Sequence, residues 1–80
     1  MEDNNEKGNN GMIKSVQKSL KILKYILDSD EERSLTDIEK SLGYNISTVH
    51  RLMKTMMEEG FISQNKTTKK YDIGPEIFFS

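Results

Sequence analysis

One glycine between two short apolar runs restricts this chain more than any other feature. Before Gly43, the residues Leu35, Ile38 and Leu42 fall at helical spacing. After it, Val49, Leu52, Met53 and Met56 recur at i, i+3, i+4 and i+7, which puts them on one side of a second helix. Gly43, Tyr44 and Asn45 join the two runs, and so short a connection makes the helices cross steeply. Gly43 can supply the left-handed backbone that ends the first helix, and Asn45 has the side chain to cap the second. Thr36 and Glu39 have capping-box spacing, which predicts that the first of the pair starts at Thr36.

The flanks complete a pattern. Upstream, Ile13, Val16, Leu20, Leu23 and Leu27 step by 3, 4, 3 and 4, one face of a helix running roughly from Met12 to Ser29. Asp28, Asp30, Glu31 and Glu32 oppose the C-terminal dipole of that helix and help to stop it. Downstream, Gly60 ends the third helix. Phe61–Gln64 and Lys69–Ile73 then flank the polar turn Asn65–Thr68, with Tyr71 and Ile73 alternating with polar neighbours, as in a β-hairpin. Gly74-Pro75 breaks the hairpin, and Pro75 suits the first position of a further helix. The order predicts a mainly α fold with a small β-hairpin: a winged helix-turn-helix of three helices plus a two-stranded wing. Residues 12–74 make up that domain, and 75–80 the start of a linker helix. Met1–Gly11 holds no apolar residue after Met1 and is expected to be a disordered tail.

Composition removes several function classes. Eighty residues make one small domain. With no Cys and a single His, His50, no disulfide, thiolate metal site or paired-His metal site is expected. No nucleophile–base pair and no phosphate-cradling glycine loop is visible, so neither an enzyme nor a cofactor is expected. The apolar runs are too short to span a membrane, and the N-terminus lacks the form of a signal peptide, so the expected location is cytoplasmic. The net charge of −1 conceals a segregation. Asp28–Glu32 carries −4, whereas Gly43–Tyr71 carries +3, from Arg51, Lys54, Lys66, Lys69 and Lys70 against Glu58 and Glu59.

The positive segment coincides with the motif. Val49, Leu52, Met53 and Met56 take the core side of the third helix. The opposite side then presents Ser47, Arg51, Lys54 and Glu58, with Thr48 and Thr55 beside it. In a helix-turn-helix this second helix enters the DNA major groove with its first turns against base edges. An arginine there can donate two hydrogen bonds to guanine O6 and N7, and hydroxyls can meet bases or phosphates. His50 lies at the edge of the core face, placed either to pack against the preceding helix or to touch a phosphate. Lys69 and Lys70 follow a short turn, where they either keep a sheet edge soluble or contact phosphate. Tyr71 and Phe61 are expected in the core.

Ser-Thr-Val-His-Arg-Leu (Ser47–Leu52) after Leu-Gly-Tyr, then Glu-Gly-Phe-Ile (Glu59–Ile62), then Lys-Tyr-Asp-Ile-Gly-Pro (Lys70–Pro75) resembles the N-terminal DNA-binding domain of IclR-type transcriptional regulators. Lys14–Leu23 resembles that family's first helix, and the likeness runs from about Ile13 to Phe79. Ile46 stands where the family usually has a basic or polar residue, and Glu39 where it has a small one. The resemblance implies a homodimer on a palindromic operator in double-stranded DNA. It implies recognition-helix roles for Ser47, Thr48, His50 and Arg51, and wing roles for Lys66, Lys69 and Lys70. It also implies a small-molecule effector bound by a separate C-terminal domain, expected to lie outside these 80 residues.

The first helix carries a second apolar group. Ile22 and Ile26 are an i, i+4 pair opposite Leu20, with Tyr25 close by. Either Ile77, Phe78 and Phe79 wrap them, or they form a dimer seam. The expectation is a two-fold interface of Ile22, Tyr25, Ile26, Phe78 and Phe79, since so small a domain gains from burial against a partner. A different class of function, a winged-helix module that binds protein rather than DNA, is favoured by the near-neutral charge and Ile46; the basic segment favours DNA.

Overall fold

The computed structural model describes residues 11–78. Three helices lead into a hairpin: α1 is Lys14–Leu27, α2 Leu35–Leu42 and α3 Ile46–Glu58. The strands β1 (Ile62–Gln64) and β2 (Tyr71–Ile73) pair antiparallel, with Ile62 opposite Ile73 and Gln64 opposite Tyr71. Arg33 flanks β2 as a single-residue bridge, its N–H donating to the Tyr71 carbonyl at 3.0 Å and its carbonyl accepting from the Tyr71 N–H at 2.7 Å. Pro75–Ile77 forms a short 3-10 turn with Pro75 leading it. This is the expected winged helix-turn-helix. The expected tail lies outside the described residues except for Gly11, as does the end of the expected linker helix.

The start of α2 differs from the expectation. Its cap is Ser34, whose Oγ accepts from the Asp37 N–H at 3.1 Å, while Asp37 Oδ2 accepts from the Ser34 N–H at 3.0 Å. The capping box thus lies two residues before the one placed at Thr36 and Glu39. The bridge at Arg33 explains the shift, because it fixes the chain in extended form up to Ser34. The helix can then turn at once and bring Leu35 against the core. At the other end the expectation holds: Gly43 has φ 74°, and its N–H reaches the Glu39 carbonyl at 2.8 Å. Asn45 caps α3 through Oδ1, which accepts from the Ser47 N–H at 2.8 Å.

The core takes side chains from every helix and strand. Ile22 and Ile26 of α1, Ile38 of α2, and Val49, Met53 and Met56 of α3 are buried with Ile62 and Tyr71 from the strands. Each such side chain contributes about 1.5–3 kcal/mol by leaving water. Two expectations are corrected here. Ile22 is 0% exposed and Ile26 2%, so neither belongs to a dimer seam. Tyr25 is half-buried against the same core, its hydroxyl accepting from Ser41 Oγ at 3.1 Å and its ring under the Arg33 guanidinium at 5.8 Å. These residues occupy the side of α1 that α2, α3 and the sheet cover, which leaves the stripe containing Val16, Leu20 and Leu27 outward. Phe61, expected in the core with Tyr71, is instead 38% exposed. It precedes β1 at the turn through Gly60 and lines a groove with Leu20 and Leu23. Phe78 is exposed, and Phe79 lies outside the described residues.

The base of the hairpin closes on Gly74. Its N–H donates to the Phe61 carbonyl at 2.8 Å, and a Cβ at this position would overlap the Gly60 carbonyl and the Ile62 nitrogen. Only glycine allows the two backbones to approach this closely.

Candidate nucleic-acid interface

α3 is fixed on one side and free on the other. Val49 and Met53 are almost wholly buried, and Met56 is buried below them. Opposite them Ser47, His50, Arg51, Lys54 and Thr55 are exposed, and Thr48 is half-buried. His50 is exposed on the solvent side of the helix. Thr55 Oγ1 donates to the Arg51 carbonyl at 3.1 Å, so its remaining capacity is as an acceptor. Ile46, the first residue of α3, is also exposed. Because core packing anchors the apolar side of α3, the helix presents its polar side as a rigid unit.

The wing is held differently. Lys66, Lys69 and Lys70 are exposed around its turn. Asn65 organises that turn, with Oδ1 accepting from the N–H groups of Thr67 at 2.8 Å and Thr68 at 3.0 Å. The Lys69 N–H donates to the Asn65 carbonyl at 2.8 Å. Lys69 closes the tight turn with a left-handed backbone, φ 67°, which costs a non-glycine residue roughly 1–2 kcal/mol. Glu32, from the α1–α2 connection, clasps the turn from outside: Oε2 accepts from Asn65 Nδ2 at 3.2 Å and Oε1 from Thr68 Oγ1 at 3.1 Å. From the sequence, Glu32 is placed only among the acids that stop the first helix and Asn65 only at the head of the polar turn, and neither they nor Arg33 are assigned a part in holding the wing. Asn65 could have been given one, as an Asx turn at the head of a polar loop. Glu32 could not, because its partners lie 33 and 36 residues away.

Two groups near the interface have shifted ionisation. The Asp37 carboxyl is held below its ordinary value of 3.8, chiefly by the Ser34 backbone N–H, with the charges of Arg33 and Lys70 adding to it. Burial pushes the Tyr71 hydroxyl above 10.0, so it stays neutral in the core. Lys18, part of a lysine row on α1, lies over the Tyr44 ring at 5.3 Å and so leans towards the turn of the helix pair. Among the described residues there is no cluster of side chains that could hold a metal ion, and no helix long and apolar enough to cross a membrane.

The family model of the IclR helix-turn-helix domain matches residues 15–66. This chain belongs to the IclR helix-turn-helix family. It is 38% identical over 66 residues to the HTH-type transcriptional regulator XynR of Escherichia coli (strain K12), covering 82% of this chain and 26% of XynR. It is 34% identical over 68 residues to the Transcriptional repressor IclR of the same organism, covering 85% of this chain and 25% of the repressor. The crystal structure of an IclR transcriptional regulator from Alicyclobacillus acidocaldarius superposes with a TM-score of 0.76 at 30% identity, over 84% of this chain and 27% of that one. An IclR family regulator from Brucella abortus shares the fold with a TM-score of 0.82 at 19% identity, over 92% of this chain and 28% of that one. The chain thus spans about a quarter of the length of the curated relatives it matches. The IclR match takes in α1 from its second residue, the helix pair and Lys66, whereas Lys69 and Lys70 lie beyond it.

Proposed function

We propose that the chain is the double-stranded DNA-binding part of a dimeric transcriptional regulator. In this reading α3 lies in the major groove and the wing lysines on the flanking phosphates. The observation that carries it is the exposed row Ser47, His50, Arg51 and Lys54 on a helix locked to the core by Val49 and Met53. Arg51 is the base reader, Ser47 and Thr48 support it at the helix start, and His50, Lys54 and Thr55 meet the backbone or the groove edge. Lys66, Lys69 and Lys70 supply sequence-independent attraction. Two copies on a palindrome would read two half-sites, and control by a small molecule would reside in a further domain, as the family resemblance implies. Such a regulator works in the cytoplasm and needs no cofactor or metal.

Titration with random duplex over a salt series tests the reading, since neutralised phosphates make affinity fall steeply with salt. Selection from a random duplex pool should then return a palindrome. A chain that binds no duplex even at low salt would favour the second reading, a protein-binding winged helix. The exposed Ile46 at the head of α3 and the net charge of −1 speak for that alternative.

A further inference from the structure

The head of α3 carries one apolar side chain that the core does not take. Ile46 is the first residue of the helix, and 38% of it is open to water. Its helix neighbours Ser47 and His50, at i+1 and i+4, are exposed and polar, and Val49, at i+3, is buried. No apolar strip therefore runs from Ile46 along the outer side of α3, and a lone isoleucine does not make a docking surface for a protein. Its place gives it a different use. Side chains on an α-helix tilt towards the N-terminus, so the first one projects past the end of the helix. In the DNA-binding reading that end enters the major groove. The cap fixes the first turn, with Asn45 Oδ1 accepting from the Ser47 N–H at 2.8 Å. Branching at Cβ leaves a helical isoleucine essentially one χ1 rotamer. The side chain is thus held in one pose before DNA arrives, which lowers the cost of binding.

We infer that Ile46 is a specificity-determining residue that reads the 5-methyl group of a thymine. Base edges in the major groove offer hydrogen-bond donors and acceptors, and the thymine methyl is the apolar group among them. Isoleucine forms no hydrogen bond through its side chain. Against a purely polar edge it would displace water from donors and acceptors and give them no partner, a penalty that rejects those bases. Against the methyl it takes apolar surface out of water on both partners. Arg51 lies five residues further along α3, about 7.5 Å along the axis at a rise of about 1.5 Å per residue. That distance is roughly two base steps of about 3.4 Å. The two side chains thus divide a half-site, Arg51 taking a guanine by hydrogen bonds and Ile46 a nearby thymine by apolar contact. This deepens the DNA-binding reading by adding a second base reader of different chemistry, and it rests on that reading.

Deoxyuridine differs from thymidine only in lacking that methyl, so it isolates the contact. The duplex returned by selection is remade with its thymines replaced by deoxyuridine, one position at a time in both half-sites. Each duplex is titrated with wild type, Ile46→Ala and Ile46→Val. At one position wild type should lose affinity by about threefold or more per half-site, the size expected when one methyl group loses a dry contact. Ile46→Ala should bind the thymine and uracil forms of that position alike, while keeping its preference for the guanine opposite Arg51. Ile46→Val, which retains a branched apolar end, should keep the discrimination, a rescue that a merely structural role would not give. Helical circular dichroism should be the same for all three chains, because Ile46 lies outside the buried core. If deoxyuridine weakens wild type at no position, or weakens Ile46→Ala just as much, the inference is overturned while duplex binding by α3 stands. A chain that binds no duplex would overturn the DNA-binding reading itself, and this inference with it.

Discussion

α3 and α1 have nearly the same length, 13 and 14 residues, and nearly opposite outward faces. α3 has one apolar side, which is buried, and a polar side rich in hydroxyl and cationic groups. α1 buries Ile22 and Ile26 and turns Val16, Leu20 and Leu27 to water. One helix is finished by its own domain and the other is not. A polar outward face is suited to a wet, charged partner such as a DNA groove, whereas an apolar one calls for a dry partner such as another helix.

Truncation on the two sides of α1 gives the largest effect. Ile22→Ala should cost about 2–5 kcal/mol in denaturant unfolding, as a large buried side chain does. Leu20→Ala, measured at a concentration where the chain is monomeric, should stay within about 0.5 kcal/mol. Equal losses would mean that the two faces of α1 have been assigned the wrong way round.

That assignment is where the sequence misleads. The 3, 4, 3, 4 stripe from Ile13 to Leu27 is longer and more regular than the Ile22–Ile26 pair, so periodicity alone makes it the natural core face. Periodicity reports that a face is apolar; it does not report whether the cover comes from the same chain. α3 posed no such choice, with one apolar side, and its core and solvent residues were legible from spacing. Gly43 and Asn45 were legible too, because caps are set by residues next to them in the chain. The cap of α2 was not, since Thr36-x-x-Glu39 and Ser34-x-x-Asp37 have equal local merit. The bridge between Arg33 and Tyr71, 38 residues apart, decides between them. Among the residues expected to meet DNA, the exposure of Arg51 and Lys54 follows from the helical repeat. The clasp of Glu32 on the wing depends on the fold and left no mark in the sequence.

The wing sharpens the contrast with α3 from another direction. α3 is held by core burial and the wing turn by hydrogen bonds on its surface. Glu32→Ala should therefore change global stability by less than about 1 kcal/mol. Amide hydrogens of Thr67, Thr68 and Lys69 should nonetheless exchange faster, and duplex affinity should fall severalfold as the lysines lose their fixed placement. Unchanged exchange would show that Asn65 alone organises the turn.

The smallest effect concerns pH. The Asp37 carboxyl is depressed in the folded chain, so its contribution is present above the unfolded value of 3.8 and is lost as pH falls through the folded one. Stability should fall more between about pH 5 and about pH 3 in wild type than in Asp37→Asn, with no difference between them in slope near neutrality. Parallel curves throughout would remove the capping box from the forces that start α2.

The division of labour within the interface is tested by titrating one selected duplex and one random duplex with wild type, Arg51→Ala, and Lys69→Ala with Lys70→Ala, each over a salt series. Arg51→Ala should lose about 1–3 kcal/mol on the selected duplex and little on the random one, relaxing the preference at one base pair per half-site. The lysine pair should weaken both duplexes alike and lower the slope of log affinity against log salt by about one unit for each phosphate that those lysines neutralise in wild type. If Arg51→Ala weakens both duplexes equally, Arg51 is a phosphate anchor and the outward face of α3 does not read bases through it.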